Sequence, residues 1–205
     1  MDTEEVLAWL RRLVYLDFGV FDEVRSNPSA TISGVVIVLV ATFIAGLGGW
    51  LWWVVEDFGD SKDIFIHSAI IGTLIAVVLW GLVWLGIVYV LLTQVFRARA
   101  YVEQLLRVMG LAAAPLALMG LTFIPGLSLG VGLAALGLTF GLTTLAIKSA
   151  TTADYAQVLA ANFLGFCVWT AALSLLAASA QPHAPGVFLH NAAVSIAKDA
   201  TQLPP

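Results

Sequence analysis

Apolar stretches of about twenty residues recur along the chain, and this recurrence limits its possible folds more than any other feature. Roughly twenty helical residues are needed to cross a hydrocarbon core of about 30 Å. With 60% hydrophobic and 11% charged residues and a mean hydropathy of +0.98, the 205 residues are too apolar for one water-soluble core. The sequence therefore predicts an all-α, polytopic membrane helix bundle with five transmembrane helices.

Turn and charge signals separate the five predicted spans. We place these at about 28–55, 64–96, 103–124, 127–147 and 154–178. Asn27 as helix cap and Pro28 as first helical residue favour the start of the first span. The second run is longer than the hydrocarbon core, so it has to tilt, bend or protrude. Pro115 lies near the middle of the third span and predicts a kink; a re-entrant hairpin in place of the third and fourth crossings stays open.

Two less apolar segments flank the membrane domain. Residues 1–27 are predicted to form a cytoplasmic amphipathic segment, with one helix over residues 2–24. The apolar face of that helix contains Val6, Leu10, Leu13 and Val14. The helix either lies in the lipid interface or connects and packs on the others. Residues 179–205 are predicted to form an external tail, in which a short interfacial helix is one option.

Positive charge is distributed unequally between the two sides of the predicted spans. One side has seven cations, namely Arg11, Arg12, Arg25, Arg97, Arg99, Arg107 and Lys148, and the other has only Lys62 and Lys198. By the positive-inside rule, this predicts a multi-pass protein of the bacterial inner membrane with a cytoplasmic N-terminus and an external C-terminus. A net charge of -4 without a basic stripe predicts no nucleic-acid partner.

Small residues mark the fourth predicted span. Its candidate helix-packing positions are Gly126, Gly130, Gly132, Gly137 and Gly141. Small residues spaced four apart let two helix backbones approach closely, which favours association in lipid. We expect these glycines to pack against other spans of the same chain, with an oligomer interface as the alternative.

Ionisable residues are nearly absent from the predicted spans, so the sequence predicts no catalytic residue and no enzyme activity. The polar or kinked positions inside the membrane are Pro115, Asn162 and Arg107. We expect Asn162 to form an interhelical hydrogen bond with Thr139 or Thr143, and Arg107 to pair locally. The alternative is a small permease or channel in which these three positions border a polar pathway.

The histidines do not show the spacing of a metal site, because within the predicted helices, which exclude Asp63, none has a second histidine or a carboxylate three or four residues away. We therefore predict no metal site and no cofactor. As a further alternative, His67 or His190 could be the axial ligand of a porphyrin. The chain would then be a pigment- or haem-carrying subunit of a photosynthetic or respiratory complex.

Four segments resemble the Yip family, the Ypt-interacting proteins, and in particular its bacterial members with five spans. The segments are Tyr15-Leu16-Asp17, Val20-Phe21-Asp22-Glu23-Val24, Asn27-Pro28-Ser29-Ala30-Thr31 and Leu105 to Pro115. The resemblance covers residues 15–178. It implies a helical, non-enzymatic membrane protein that works with partners. We therefore expect an accessory or scaffolding subunit that packs against lipid and other integral membrane proteins in a larger complex.

Overall fold

The computed structural model describes residues 3–55, 65–124 and 126–178, and these form helices without β-strands. The seven helices are α1 Thr3–Val14, α2 Val20–Ser26, α3 Ala30–Val55, α4 Ile66–Val95, α5 Val102–Phe123, α6 Ser128–Ser149 and α7 Tyr155–Ala178. Helices α3 to α7 are long and apolar enough to cross a membrane. The predicted fold class is confirmed, and the chain is a multi-pass integral membrane protein. The predicted tail over 179–205 lies outside the described residues.

The N-terminal segment contains two helices, α1 and α2, joined by a turn over residues 15–19. Leu16 has a left-handed backbone with φ of 59°. Arg12 Nε donates to Asp17 Oδ2 over 2.8 Å, and Asp17 Oδ1 accepts from the Gly19 amide. The expectation of one continuous helix over residues 2–24 is wrong, because this local ion pair and side-chain cap stabilise a turn instead.

Helix α5 is the central span, since 61% of its most apolar 18 residues are buried, compared with 28% to 50% in the other four spans. Glycine residues form its contact with α3. A Cβ atom on Gly110 would lie 2.6 Å from Gly34 Cα, and one on Gly48 would lie 2.4 Å from the Met119 carbonyl oxygen. Helices α3 and α5 therefore pack backbone against backbone.

Three π-helical segments interrupt α4, at Ile66–Ile71, Trp80–Leu85 and Leu91–Val95. A π-helical turn bonds residue i to residue i+5, so it holds more residues than an α-helical turn. As a straight α-helix the 30 residues of α4 would be about 45 Å long, beyond the hydrocarbon thickness. The wider turns absorb part of this predicted excess length.

Pro115 marks a change of helix type inside α5. The helix is α-helical over Val102–Ala112 and 3₁₀-helical over Ala114–Phe123, and Pro115 lies in the first turn of the second part. Proline fits there because the first amides of a helix have no partner within that helix. At ideal rises the two parts together extend about 37 Å, which is enough to cross the membrane.

The loops after α4 and α6 lie beside α2 at one end of the bundle, which we call the N-terminal end. Ala100 and Thr151 form an antiparallel bridge between these loops, and Thr151 Oγ1 donates to the Arg99 carbonyl. Arg25 at the end of α2 donates to the carbonyl of Ser149 at the end of α6. The seven cations that the sequence assigns to one side of the membrane lie in or next to these segments.

Candidate functional site

Arg107 is a buried cation in α5 near the N-terminal end, with 8% of its surface exposed. Its Nε donates to Thr31 Oγ1 at the start of α3 over 2.7 Å. One terminal nitrogen donates to the Arg25 carbonyl at the end of α2 over 3.0 Å, and the other lies 3.3 Å from Glu103 Oε2. The planar, five-donor guanidinium can make these bonds at once. Arg107 thus joins three helices, and local contacts satisfy it.

Asn162 in α7 is completely buried and is tied to α6. The two hydrogens of its Nδ2 are shared among three acceptors, namely Thr143 Oγ1 at 3.0 Å, Thr144 Oγ1 at 2.9 Å and the Phe140 carbonyl at 3.1 Å. Thr143 is one of the two partners that the sequence predicts. The other, Thr139, donates within its own helix. The amide is an interhelical link of the kind expected from a buried polar residue in lipid.

Trp84 completes this link from α4, and sequence reasoning missed it. Its Nε1 donates to Asn162 Oδ1 over 2.9 Å, and its ring lies 5.1 Å from the rings of both Phe166 and Trp169. A Cβ atom on Gly165 would lie 2.8 Å from Trp84 Cδ1, so this glycine leaves room for the indole. The contact of Trp84 with Asn162 could have been predicted, because a buried indole N–H needs an acceptor and the Asn162 side-chain carbonyl oxygen had no predicted donor.

The three positions of the permease alternative are not brought together. Asn162 is enclosed by its hydrogen-bond partners. Arg107 borders an open cleft of about 400 Å³ at the first turn of α5, whereas Pro115 lines a separate apolar groove. A cavity of about 40 Å³ between the spans is lined by other residues, including Thr42 and Trp169.

The glycines of α6 face in two directions. Gly132 is buried, whereas no heavy atom of the described neighbouring residues lies within 4 Å of a Cβ position on Gly130, Gly137 or Gly141. Gly126 precedes the helix and adopts φ of 80° in the turn, also with open space. Contrary to the expected packing, these four open positions make no contact with the other spans in the part of the chain that the structure describes. The close contacts inside the bundle use glycines of α3, α5 and α7 instead.

The outward small residues of α6 form a continuous strip, which we call the outer strip. A rotation of 100° per residue places four of them within about 60° of arc: Gly130, Ala134, Gly137 and Gly141. The strip is about 17 Å long. Leu133 and Leu138 flank it and are 56% and 50% exposed. The shape is a shallow furrow between leucines.

A charged cluster holds α1 against α2. Trp9 Nε1 donates to Glu23 Oε1 over 2.7 Å, and Arg12 donates to Glu23 Oε2 and to Asp17. The hydrogen bonds from Trp9 and then Arg12 lower the pKa of Glu23, and the hydrogen bond from Arg12 lowers the pKa of Asp17. Hydrogen bonds to Asp17 and Glu23 raise the pKa of Arg12. The contact between α1 and α2 is therefore strongest with both carboxyl groups ionised.

His67, the first of the two proposed porphyrin ligands, lies half-buried in the first π-helical segment of α4. His190, the second, lies outside the described residues. Within residues 3–55, 65–124 and 126–178, no group of three or more His, Cys, Asp or Glu side chains is placed to hold a metal ion.

The arrangement of these residues is structural in character: a guanidinium and an amide tie helices together, and small residues face outward from α6. In comparisons with known proteins, no family model matches the chain, and neither a curated protein nor a solved structure matches it significantly.

Proposed function

We propose that the chain is a non-catalytic accessory or scaffolding subunit whose outer strip packs against a transmembrane helix of another integral membrane protein. The observation that carries this proposal is the open space around Gly130, Gly137 and Gly141. Helix association in lipid relies on close packing, and small residues allow it.

The energetics of glycine support the same proposal. A glycine inside a helix is less favourable than alanine by up to about 1 kcal/mol. Inside the bundle this cost is offset, since Gly110 and Gly165 allow contacts that a Cβ atom would block. At Gly130, Gly137 and Gly141 no contact with the described residues offsets it. A partner backbone lying in the furrow would supply the missing contact.

Two further parts of the proposal concern kinship and orientation. Membership of the Yip family as a bacterial member is proposed from the segments between Tyr15 and Pro115 that resemble it. The gathering of cations at the N-terminal end supports a cytoplasmic N-terminus in the bacterial inner membrane. Thiol labelling of engineered cysteines in the loops at residues 97 and 152 from either side of sealed vesicles tests the orientation. Labelling of these loops from the external side would refute it.

Site-specific photo-crosslinking tests the partner surface. A photoreactive side chain at Leu133, beside the outer strip, is expected to give discrete protein adducts in membranes. The same group at Leu82, which is 75% exposed on α4, is the matched control and is expected to give lipid adducts only. Equal protein adducts from both helices would contradict the proposal, and an adduct with the mass of two copies of this chain would identify self-association instead.

Variants of the strip give the second test. Gly137→Leu fills the furrow and is expected to abolish the adducts from Leu133, whereas Gly81→Leu, on α4 and also in open space, leaves them unchanged. Gentle detergent extraction should recover the same partner in a fixed ratio. A lone monomer that supports solute flux in liposomes would overturn the accessory role in favour of a permease.

A further inference from the structure

An apolar groove opens between α1 and the 3₁₀-helical half of α5. Its volume is about 490 Å³, and all twelve residues that line it are apolar. Leu10, Val14 and Leu16 form the wall toward the N-terminal end. The wall along α5 includes Pro115, Leu118 and Leu121, and α3 and α6 also contribute lining residues.

The turn between α1 and α2 exposes apolar surface to this groove at a conformational cost. Leu16 is 67% exposed and has a left-handed backbone, which is unfavourable for a residue other than glycine. The ion pair between Arg12 and Asp17 holds the turn in place. An apolar group bound in the groove would cover the exposed Leu16 side chain and so stabilise this strained turn.

The dimensions of the groove decide what can occupy it. The α5 residues that line the groove run from Ala114 to Leu121, seven residues further along the 3₁₀-helix, or about 14 Å. A volume of about 490 Å³ over that length gives a mean cross-section of about 35 Å². A helix with its side chains is about 10 Å across, or about 80 Å² in section. The groove is therefore too narrow for a helix, and its width suits a single alkyl chain.

Directly after the groove residue Leu10, α1 carries the cation Arg11, which forms no ion pair with the described residues. Arg11 lies between Leu10 and Val14 on α1, and its guanidinium lies 5.8 Å from the centre of the Tyr15 ring. Among the described residues no acidic side chain forms an ion pair with Arg11, whereas Asp17 and Glu23 neutralise the adjacent Arg12. An open cation beside an apolar groove is complementary to an anionic amphiphile.

We propose that the groove binds one acyl chain of a glycerophospholipid and that Arg11 binds the phosphate of the same molecule. The narrow apolar section recognises the chain, and the unpaired guanidinium recognises the head group. This site does not depend on the accessory role, because it lies in the groove and not on the outer strip.

The test uses the full chain, purified in mild detergent with phosphatidylglycerol and examined by native mass spectrometry. The wild-type protein is expected to retain one phosphatidylglycerol. Arg11→Gln should lower retention about fivefold, the effect of one cation near a membrane surface. Arg97→Gln is the matched control, since Arg97 is also exposed but lies away from the groove, and retention should not change.

A variant that fills the groove separates chain binding from head-group binding. Ala117→Phe should abolish retention while the protein stays monodisperse, and the milder Ala117→Leu serves if the larger side chain prevents folding. A wild-type protein without retained phospholipid would overturn the proposal. Equal loss in the Arg11 and Arg97 variants would overturn the assignment of Arg11, and full retention in both Ala117 variants would overturn the groove.

Discussion

Replacing Gly110 with alanine should separate α3 from α5, because the added methyl group has no space. Its Cβ would lie 2.6 Å from Gly34 Cα and 2.7 Å from the Gly34 carbonyl oxygen. Ordinary van der Waals contacts of a Cβ atom begin near 3.4 Å, so the backbones would have to move apart by about 1 Å. Neither neighbour is a flexible side chain that could rotate away.

The expected loss of stability follows from two opposing terms. Overpacking a well-filled contact costs about 1–3 kcal/mol. Alanine recovers up to about 1 kcal/mol of helix propensity. Gly110→Ala should therefore destabilise the bundle by about 1–2 kcal/mol net. Gly34→Ala meets its nearest neighbour at 3.1 Å and should cost less, and Gly137→Ala, in open space, should be neutral or slightly stabilising.

The measurement is the unfolding equilibrium of the purified monomer in mixed detergent, followed through labelling of Cys167, which lies half-buried in α7. The order of stability should be Gly137→Ala, then Gly34→Ala, then Gly110→Ala. Gly137→Ala is the matched control, because it makes the same chemical change on a spanning helix. Equal stability of the Gly110 and Gly137 variants would refute the close packing of α3 on α5.

Three further predictions concern the polar contacts. Asn162→Asp removes the donor to the α6 carbonyl and hydroxyls, and should cost about 2–3 kcal/mol in the same unfolding assay; wild-type stability would contradict the interhelical link. Arg107→Lys should cost about 1–2 kcal/mol, because an ammonium group cannot reach its partners on both α2 and α3, while Arg99→Lys, in an exposed loop, should change little. As the pH falls below the ordinary carboxyl pKa of about 4, spin labels on α1 and α2 should move apart. The pKa values of Asp17 and Glu23 are lowered in the folded protein, so their stabilisation is complete above that pH and is lost as the pH falls through the lowered values; an unchanged distance once infrared spectra show both carboxyl groups protonated would contradict it.

The spans were predictable because their signal is summed over many residues. An apolar run of twenty residues decides membrane crossing whichever neighbours it packs against. The cap at Asn27 could also be predicted, because it depends only on neighbouring residues: Asn27 Oδ1 accepts from the Ser29 amide over 3.0 Å. Helix α3 nevertheless begins two residues later than predicted, at Ala30. The turn at Leu16 was not predictable from periodicity, since it depends on one ion pair between Arg12 and Asp17.

The direction of the α6 glycines could have been predicted, but from other residues. Spacing shows that Gly130, Gly137 and Gly141 share a face and leaves open whether that face points inward. Thr139 and Thr143 lie on the opposite side of the helix, about 180° and 220° around from Gly130. Hydroxyl groups in the membrane favour protein over lipid, and both threonines are completely buried. The threonine face therefore points inward, and the glycine strip must point outward.

The outer strip and the apolar groove adjoin each other on α6. Leu138 flanks the strip and also lines the groove, so a helix seated on the strip would form part of one wall of the groove without filling it. Two variants should therefore distinguish the proposed occupants, because each variant should remove only one of them. Gly137→Leu should remove the protein partner and weaken lipid retention only slightly, whereas Ala117→Phe should remove the lipid and leave crosslinking from Leu133 intact. Loss of both occupants in either variant would mean one composite site, with lipid held between subunits instead of by this chain alone.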